Sequence, residues 1–348
     1  MAIPKVIFID TSIFDEQCYN FSSSSMSAFI KAARARSLIL LMPDTTKREI
    51  QRHISDISET ALKALEEAKR RAPFLVKWKG WPSYRSIHLI KDELVTLANS
   101  ELKTFLANFK VVDLDYSDIN LHEIMNWYDK GRAPFGPKKQ KEFPDAFAIA
   151  SIITYSNKNE CQVAIVSKDN DFMKVCSYYM QLHAFPSLTS LTELLLSENK
   201  RLSSLKILLN NNLAILSDSL IDSFCELSFY PEEEPGGDVE DISVSALHLD
   251  DLRIIAIGNT EFTVSFDATI NYSADVSYTL RDYDDDNWGY EHHMRGNVSE
   301  ELEISGIAKL LLNSLNGDIE EVNIVEFETD EISVNSAPDE IFDYEMED

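Results

Sequence analysis

The sequence predicts an α/β protein: a parallel sheet flanked by helices over residues 1–200, followed by a small acidic β-rich (α+β) domain. Three observations predict this. Short apolar runs alternate with helical segments through the first 200 of the 348 residues, the pattern of a sheet covered on both faces. After "PEEEPGGDVED" (231–241), apolar residues recur at every second position instead. The charge breaks near the same place. Residues 1–200 carry 26 Lys+Arg and 24 Asp+Glu, a net of +2, whereas residues 201–348 carry 6 and 35, a net of −29. Such asymmetry marks a domain boundary.

Along the chain, strands are expected at 5–9, 37–42 (SLILLM), 109–114 (FKVVDL), 161–167 (CQVAIVS) and about 179–185 (YMQLHAF). The first contains four consecutive apolar residues, Val6 to Ile9, as a strand buried on both faces requires. Helices are expected at about 24–36, 46–72, 86–108, 118–130, 144–157, 171–177 and 188–199. "EIQRHISDISETALKALEEAKRRA" spaces its apolar residues by three and four among many charges, as a surface helix does. A further helix over 202–228 carries a stripe of Leu205, Leu208, Leu209, Leu213, Leu216, Leu220 and Ile221.

The resulting plan is a first domain over 1–200, a connecting helix over 201–230 and an acidic linker over 231–241. A β-rich acidic domain follows over 242–337, then an acidic tail over 338–348. In "TEFTVSFDATINY", Phe262, Val264, Phe266, Ala268, Ile270 and Tyr272 alternate with polar residues, which gives a strand one buried face. "ISVSALHL", "LRIIAI", "DVSYTL" and "VNIVEFE" extend an antiparallel sheet, and "ISGIAKLLLNSL" (304–315) reads as its one helix.

Composition excludes several classes. The four cysteines, Cys18, Cys161, Cys176 and Cys225, form no CxxC pair, which argues against a zinc ribbon or a disulfide framework and suits a reducing cytosol. Asp10, Asp15 and Glu16 interrupt the N-terminal apolar run, and nothing approaches the roughly 20 apolar residues of a membrane span. A cytoplasmic protein with no membrane partner is expected. "RDYDDDNWGYEHHM" suggests a calcium loop starting at Asp282, but Asn287 and His293 stand where such a loop needs Gly and Glu, so a hairpin is expected.

The chemistry lies in the acids. Asp10 ends the first strand, and Thr11 and Ser12 follow it. Glu49 stands three residues after Thr46, the spacing of a capping box. Pro144 and Asp145 suit the first turn of a helix. Asp169 and Asp171 follow the fourth strand in "VSKDNDF", where Asp is ordinary turn chemistry. Each acid alone has a local structural explanation. Together they fall on one side of the sheet, because helices that follow parallel strands start at its carboxyl edge. With the first and fourth strands as neighbours, the acids converge on one crevice. Several carboxylates at close range cannot all ionise without a cation. Oxygen donors without His or Cys select Mg²⁺ or Mn²⁺.

Residues 3–200 resemble a PIN domain, the metal-dependent nuclease fold related to flap endonucleases. The resemblance rests on "FIDTS", "TTKREIQ", "EFPDAFAIA" and "VSKDNDF", all in the family's order. It implies Asp10, Glu49, Asp145 and Asp169 as the metal-binding catalytic acids, with Asp171 as an accessory ligand. It implies that Thr11 or Ser12 hydrogen-bonds Asp10 or a metal-bound water. It further implies hydrolysis of RNA or single-stranded nucleic acid, and the family's bacterial members suggest a defence or toxin role. The chain departs from small members by its long helices over 46–108 and its acidic second half.

Basic groups offer contacts for a polyanion. Arg132, Lys138, Lys139 and Lys141 lead into Asp145, and Lys168 precedes Asp169. A plain solvated loop explains Lys138 to Lys141 equally well. Lys47 and Arg48 read better as solvated surface. "FLVKWKGWPSYR" sets Trp78, Trp81 and Tyr84 beside Lys77, Lys79 and Arg85, where core aromatics are the better reading than base stacking. Two functions remain open. One is a metal-dependent nuclease, with the acidic half as a regulator or as a docking site for a protein partner. The other is a catalytically weak PIN-like scaffold that binds protein or nucleic acid.

Overall fold

Val6–Ile9 form strand β1, and all four residues are buried. Val6 and Phe8 pack on one face of the sheet with Ile149 and Ile152, while Ile7 and Ile9 pack on the other with Phe14, Phe29 and Leu191. This alternation is why the run is apolar at every position. In this computed structural model, residues 3–74, 87–136, 142–232, 237–283, 289–313, 317–335 and 341–342 are described. The chain divides into two units, Met1–Ser197 and Glu198–Asp348.

The first unit is built on five parallel strands. They are β1, β2 (Ile39–Pro43), β3 (Lys110–Leu114), β4 (Val163–Val166) and β5 (Leu182–Phe185), in the order β3-β2-β1-β4-β5. The first and fourth strands are neighbours, the condition on which the convergence of the acids depends, with Val6 opposite Val163 and Ile9 opposite Val166. The winding of the sheet reverses between β1 and β4. Ligand sites of such sheets lie in the crevice beyond that switch point.

The helices of this unit are α1 (Thr11–Glu16), α2 (Ser24–Ala35), α3 (Asp44–Arg71), α4 (Ile87–Leu106), α5 (Leu121–Asp129), α6 (Phe143–Lys158), α7 (Asn170–Cys176) and α8 (Leu188–Leu196). The short α1, TSIFDE, is not among the helices expected from the sequence. The capping box expected at Thr46 and Glu49 is absent. α3 starts two residues earlier, after Pro43, so Thr46 is buried inside its first turns and Glu49 is free to face another helix. α6 begins as expected, with Pro144 and Asp145 in its first turn.

The second unit carries α9 (Leu202–Asn211) and α10 (Leu213–Cys225), followed by β6 (Ser228–Pro231), β7 (Asp238–Ile257), β8 (Glu261–Tyr283), β9 (Gly289–Leu312), β10 (Ile319–Phe327), β11 (Glu331–Val334) and β12 (Ile341–Phe342). The single helix expected over 202–228 is two helices, interrupted at Asn212 with φ −124° and ψ 25°. Their stripe is not a connector's. Leu202, Leu205, Leu209, Leu216, Leu220 and Phe224 are buried in one cluster with Phe262, Val264, Phe266, Ala268, Ile270 and Tyr272 of β8. The main sheet is antiparallel in the order β10-β9-β8-β7, with β12 paired to β9, and β6 pairs in parallel with β11.

The helix expected over 304–315 is instead the second half of β9. That strand pairs with β8 from Glu261–Leu311 to Tyr283–Gly289, and with β10 on its other edge. Ile304, Ala308 and Leu310 are buried on the same alternation as β8. Pairing on both edges outweighs the local preference of "IAKLLL" for helix. The hairpin expected at "RDYDDDNWGYEHHM" is present, with Tyr283 paired to Gly289.

Gly306 sits where β9 crosses Phe266. A Cβ there would stand 2.6 Å from the Phe266 ring and 2.8 Å from the Glu326 carbonyl oxygen. Gly306→Ala is therefore expected to destabilise this unit by about 1–3 kcal/mol. Thermal unfolding checks it, and an unchanged melting temperature would contradict the packing. Among the described residues, no helix is long and apolar enough to cross a membrane.

Candidate metal centre

Asp10 stands where β1 ends, its backbone N–H still donating to the Val166 carbonyl at 2.9 Å. Its side chain is buried, at 7% exposure. Both nearby serine hydroxyls donate to the same carboxylate oxygen, Oδ2: Ser12 at 2.5 Å and Ser167 at 2.8 Å. Oδ1 receives neither. Burial pushes the Asp10 carboxyl above the usual carboxylate range, and the bonds from Ser12 and Ser167 partly offset it.

Of the two candidates, then, it is Ser12 that bonds Asp10. Thr11 reaches across to α3 instead and donates from Oγ1 to Glu49 Oε2 at 3.2 Å. Glu49 Oε1 faces Arg52 Nη2 at 3.4 Å and His53 Nε2 at 3.9 Å.

Asp145 is half-buried in the first turn of α6. Its pKa is pushed up to about 8. Burial contributes most, followed by the charge of Asp10, a hydrogen bond with Glu142 and the charges of Glu49 and Glu142. The charges of Asp10 and Glu49 therefore both reach the Asp145 carboxyl. Glu142, at the α6 N-cap position, joins them. Sequence reasoning missed it, although it directly precedes the "FPD" turn.

Asp169 holds a different position. It caps α7, with Oδ1 accepting the Asp171 backbone N–H at 2.7 Å. Its tie to Asp10 runs through Ser167, whose Oγ accepts the Asp169 backbone N–H at 3.0 Å. Asp171 is buried, and its Oδ1 accepts from Lys174 Nζ at 3.1 Å.

Three further groups border the acids without having been read from the sequence. Asp15 accepts from His53 Nδ1, with both carboxylate oxygens in range at 2.9 and 3.1 Å. Tyr19 packs against Phe14 and Phe21 in a turn where Cys18 and Tyr19 both take positive φ, 45° and 58°. Among the described residues, its buried hydroxyl stands near Asp15 without a hydrogen bond of good geometry. Burial and the charges of Asp15, Glu49 and Asp10 raise its pKa well above the ordinary tyrosine value, so it keeps its proton.

The cations have partners. Lys168 pairs with Glu16, and its backbone N–H donates to Ser12 Oγ at 3.2 Å. The Arg132 guanidinium lies 4.2 Å from the Tyr178 ring centroid and 5.5 Å from that of Tyr179. Lys47 and Arg48 pair with Asp113 and Asp44. Lys138, Lys139 and Lys141 lie outside the described residues, as do Lys77, Trp78, Lys79, Trp81, Tyr84 and Arg85.

Among the described residues, no three His, Cys, Asp or Glu side chains stand in a metal-holding arrangement. The donor chemistry still fits a hard divalent cation. Asp10, Glu49, Glu142 and Asp145 offer only oxygen. Burial first, and then the charges of the neighbouring carboxylates, raise the Asp145 pKa, and a cation in the crevice would offset both.

A family model described as PIN domain matches residues 7–172, from β1 into α7, a span that includes Asp10, Glu49, Asp145, Asp169 and Asp171. The remainder of the chain has no family assignment. No curated protein and no solved structure matches the chain.

Proposed function

Residues 7–172 are a PIN domain, a family of nucleases, and from that premise we propose that the protein hydrolyses phosphodiester bonds in RNA or single-stranded nucleic acid with Mg²⁺ or Mn²⁺. The observation that carries this reading is the shared field of Asp10, Glu49 and Asp145 beyond the β1–β4 switch point. In the proposal, Asp10, Glu49, Asp145 and Asp169 hold the cation, and Asp171 supports Asp169 from α7. When bound, a divalent cation would supply a water of lowered pKa and positive charge to offset that of the phosphodiester.

The chain's own residues prepare the site in three ways. Ser12 and Ser167 both donate to Oδ2 of Asp10 and so orient its carboxylate. Thr11 holds Glu49 by Oε2. Asp145 gives up the proton it keeps near neutral pH when the cation arrives, so binding tightens as pH rises toward about 8. RNA is favoured over DNA by the family alone. The strongly acidic second unit is assigned a regulatory or partner-binding role.

The scaffold reading is favoured by one observation: Asp169 already spends Oδ1 on capping α7. One comparison separates the two. Wild type and Asp10→Asn are incubated with labelled RNA and Mn²⁺, with and without chelator. The nuclease reading expects cleavage by wild type alone, stopped by chelation. Cleavage that survives both changes, or no cleavage by any sample, overturns it.

A further inference from the structure

α1 and α3 are joined by two side-chain rungs one helical turn apart. The inner rung is Thr11 to Glu49, at 3.2 Å. The outer rung is His53 to Asp15, at 2.9 and 3.1 Å. Each helix steps four residues between rungs, from 11 to 15 and from 49 to 53. Both helices follow neighbouring parallel strands, so they run in the same sense and the rungs align. The free ring nitrogen of His53, Nε2, faces Glu49 Oε1 at 3.9 Å. Glu49 is thus held through Oε2 by Thr11 and flanked at Oε1 by His53 and Arg52.

A glutamate has three rotatable side-chain bonds and is only partly buried here, so its direction toward Asp10 and Asp145 must be imposed by neighbours. Asp15 fixes the imidazole plane by occupying Nδ1, which leaves Nε2 as a wall beside Glu49. We propose that the Asp15–His53 pair positions Glu49: it fixes the carboxylate toward Asp10 and Asp145, and so sets the affinity of the acid cluster for a divalent cation. Neither residue belongs to the set of acids implied for the site. The pair acts from behind Glu49, as partners of a ligand do.

The inference rests on the metal-site reading proposed above, and its test separates the two. Mn²⁺ binding to the full chain is titrated by electron paramagnetic resonance. His53→Ala is expected to weaken binding about tenfold or more, and a loss below about twofold overturns the proposal. His53→Asn, whose amide can still donate to Asp15 but which lacks the Nε2 edge beside Glu49, is expected to lose affinity as His53→Ala does, and wild-type affinity in it overturns the proposal. In a Glu49→Gln background, His53→Ala is expected to add no further loss, because its effect passes through Glu49. An equal loss in both backgrounds overturns the proposal, since a mere tie between helices would act independently of Glu49. A metal-free crystal structure of His53→Ala supplies the second readout. Glu49 is expected to leave Thr11, and a Glu49 still bonded to Thr11 overturns the proposal. If wild type binds no Mn²⁺ while Glu49 moves in this variant, the metal reading fails and the positioning role stands.

Discussion

Asp145→Asn slows cleavage sharply and stabilises the metal-free protein: this is the paired result expected from a carboxyl whose pKa is pushed up to about 8. The loss of rate is expected at about 10²–10³-fold, the size of removing one charge-stabilising group from a catalytic centre. The gain in stability follows from linkage. Unfolded, Asp145 titrates near 3.8; folded, near 8. Between these values the folded protein holds a proton that the unfolded chain has released. Stability therefore falls as pH rises through that window and levels above it. An asparagine has no proton to lose, so the variant escapes the fall. Its advantage is expected to be absent near pH 4 and fullest above pH 8; solvent screening at this half-buried site reduces the full linkage value, about 1.4 kcal/mol per pH unit, to about 1–2 kcal/mol in all, or a few degrees in melting temperature. Saturating Mn²⁺ reverses the order. Wild type then gains about 2.7 kcal/mol at a hundredfold excess over Kd, and the variant gains less. Thermal melts across pH, with and without Mn²⁺, check both halves. A variant that cleaves like wild type, or that melts below it at pH 8 without metal, contradicts this account.

The parallel sheet is legible in the sequence because its central strands are buried on both faces. "VIFI" and "VAIV" have no polar position for a competing reading to use, and both are strands in the structure. The alternation of β8 is legible for the complementary reason: one face only is packed, so Phe262 to Tyr272 keep strict period two. "ISGIAKLLLNSL" misleads because its apolar residues satisfy a helical period as well as an alternating one. What decides it is β8, some 40 residues earlier, which no local window contains. The unbroken helix over 202–228 fails similarly, since the leucine stripe continues through Asn212 although the backbone does not.

The acids of the crevice divide along the same line. Asp10, Glu49 and Asp145 can be placed from topology alone, because each sits at a strand end or a helix start on one sheet edge. Glu142, Asp15 and His53 cannot, since their roles come from contacts between elements. A faint signal existed for the last two: Thr11 and Asp15, like Glu49 and His53, stand four residues apart, so each pair shares a helix face. Ser167 is similarly invisible until β4 is laid beside β1, when its hydroxyl meets Asp10 and its neighbour Asp169 in one short chain of hydrogen bonds.

A chain ending at Ser197 is expected to cleave nucleic acid faster than the full protein at low salt. The retained unit comprises Met1–Ser197 and keeps every acid of the crevice, together with its own buried core. The removed unit carries nearly all of the excess negative charge, since residues 201–348 hold 35 Asp+Glu against 6 Lys+Arg. A polyanionic substrate approaching the full chain meets that negative field. Such fields change association rates by about 10–10³-fold and fade with ionic strength. The screening length is about 30 Å at 0.01 M and about 8 Å at 0.15 M. The gain should therefore be on the order of tenfold in dilute buffer and small at physiological salt. The position of the cut matters. Ending the chain near residue 230 would leave α9 and α10 without the sheet that buries Leu205, Leu216 and Phe224, and aggregation would mask the effect. Initial cleavage rates of the two proteins, measured across a salt series, decide the matter. A gain confined to low salt identifies a field effect. A gain that persists at high salt instead identifies a block by specific contact, and the absence of any gain assigns the acidic unit to a partner of opposite charge.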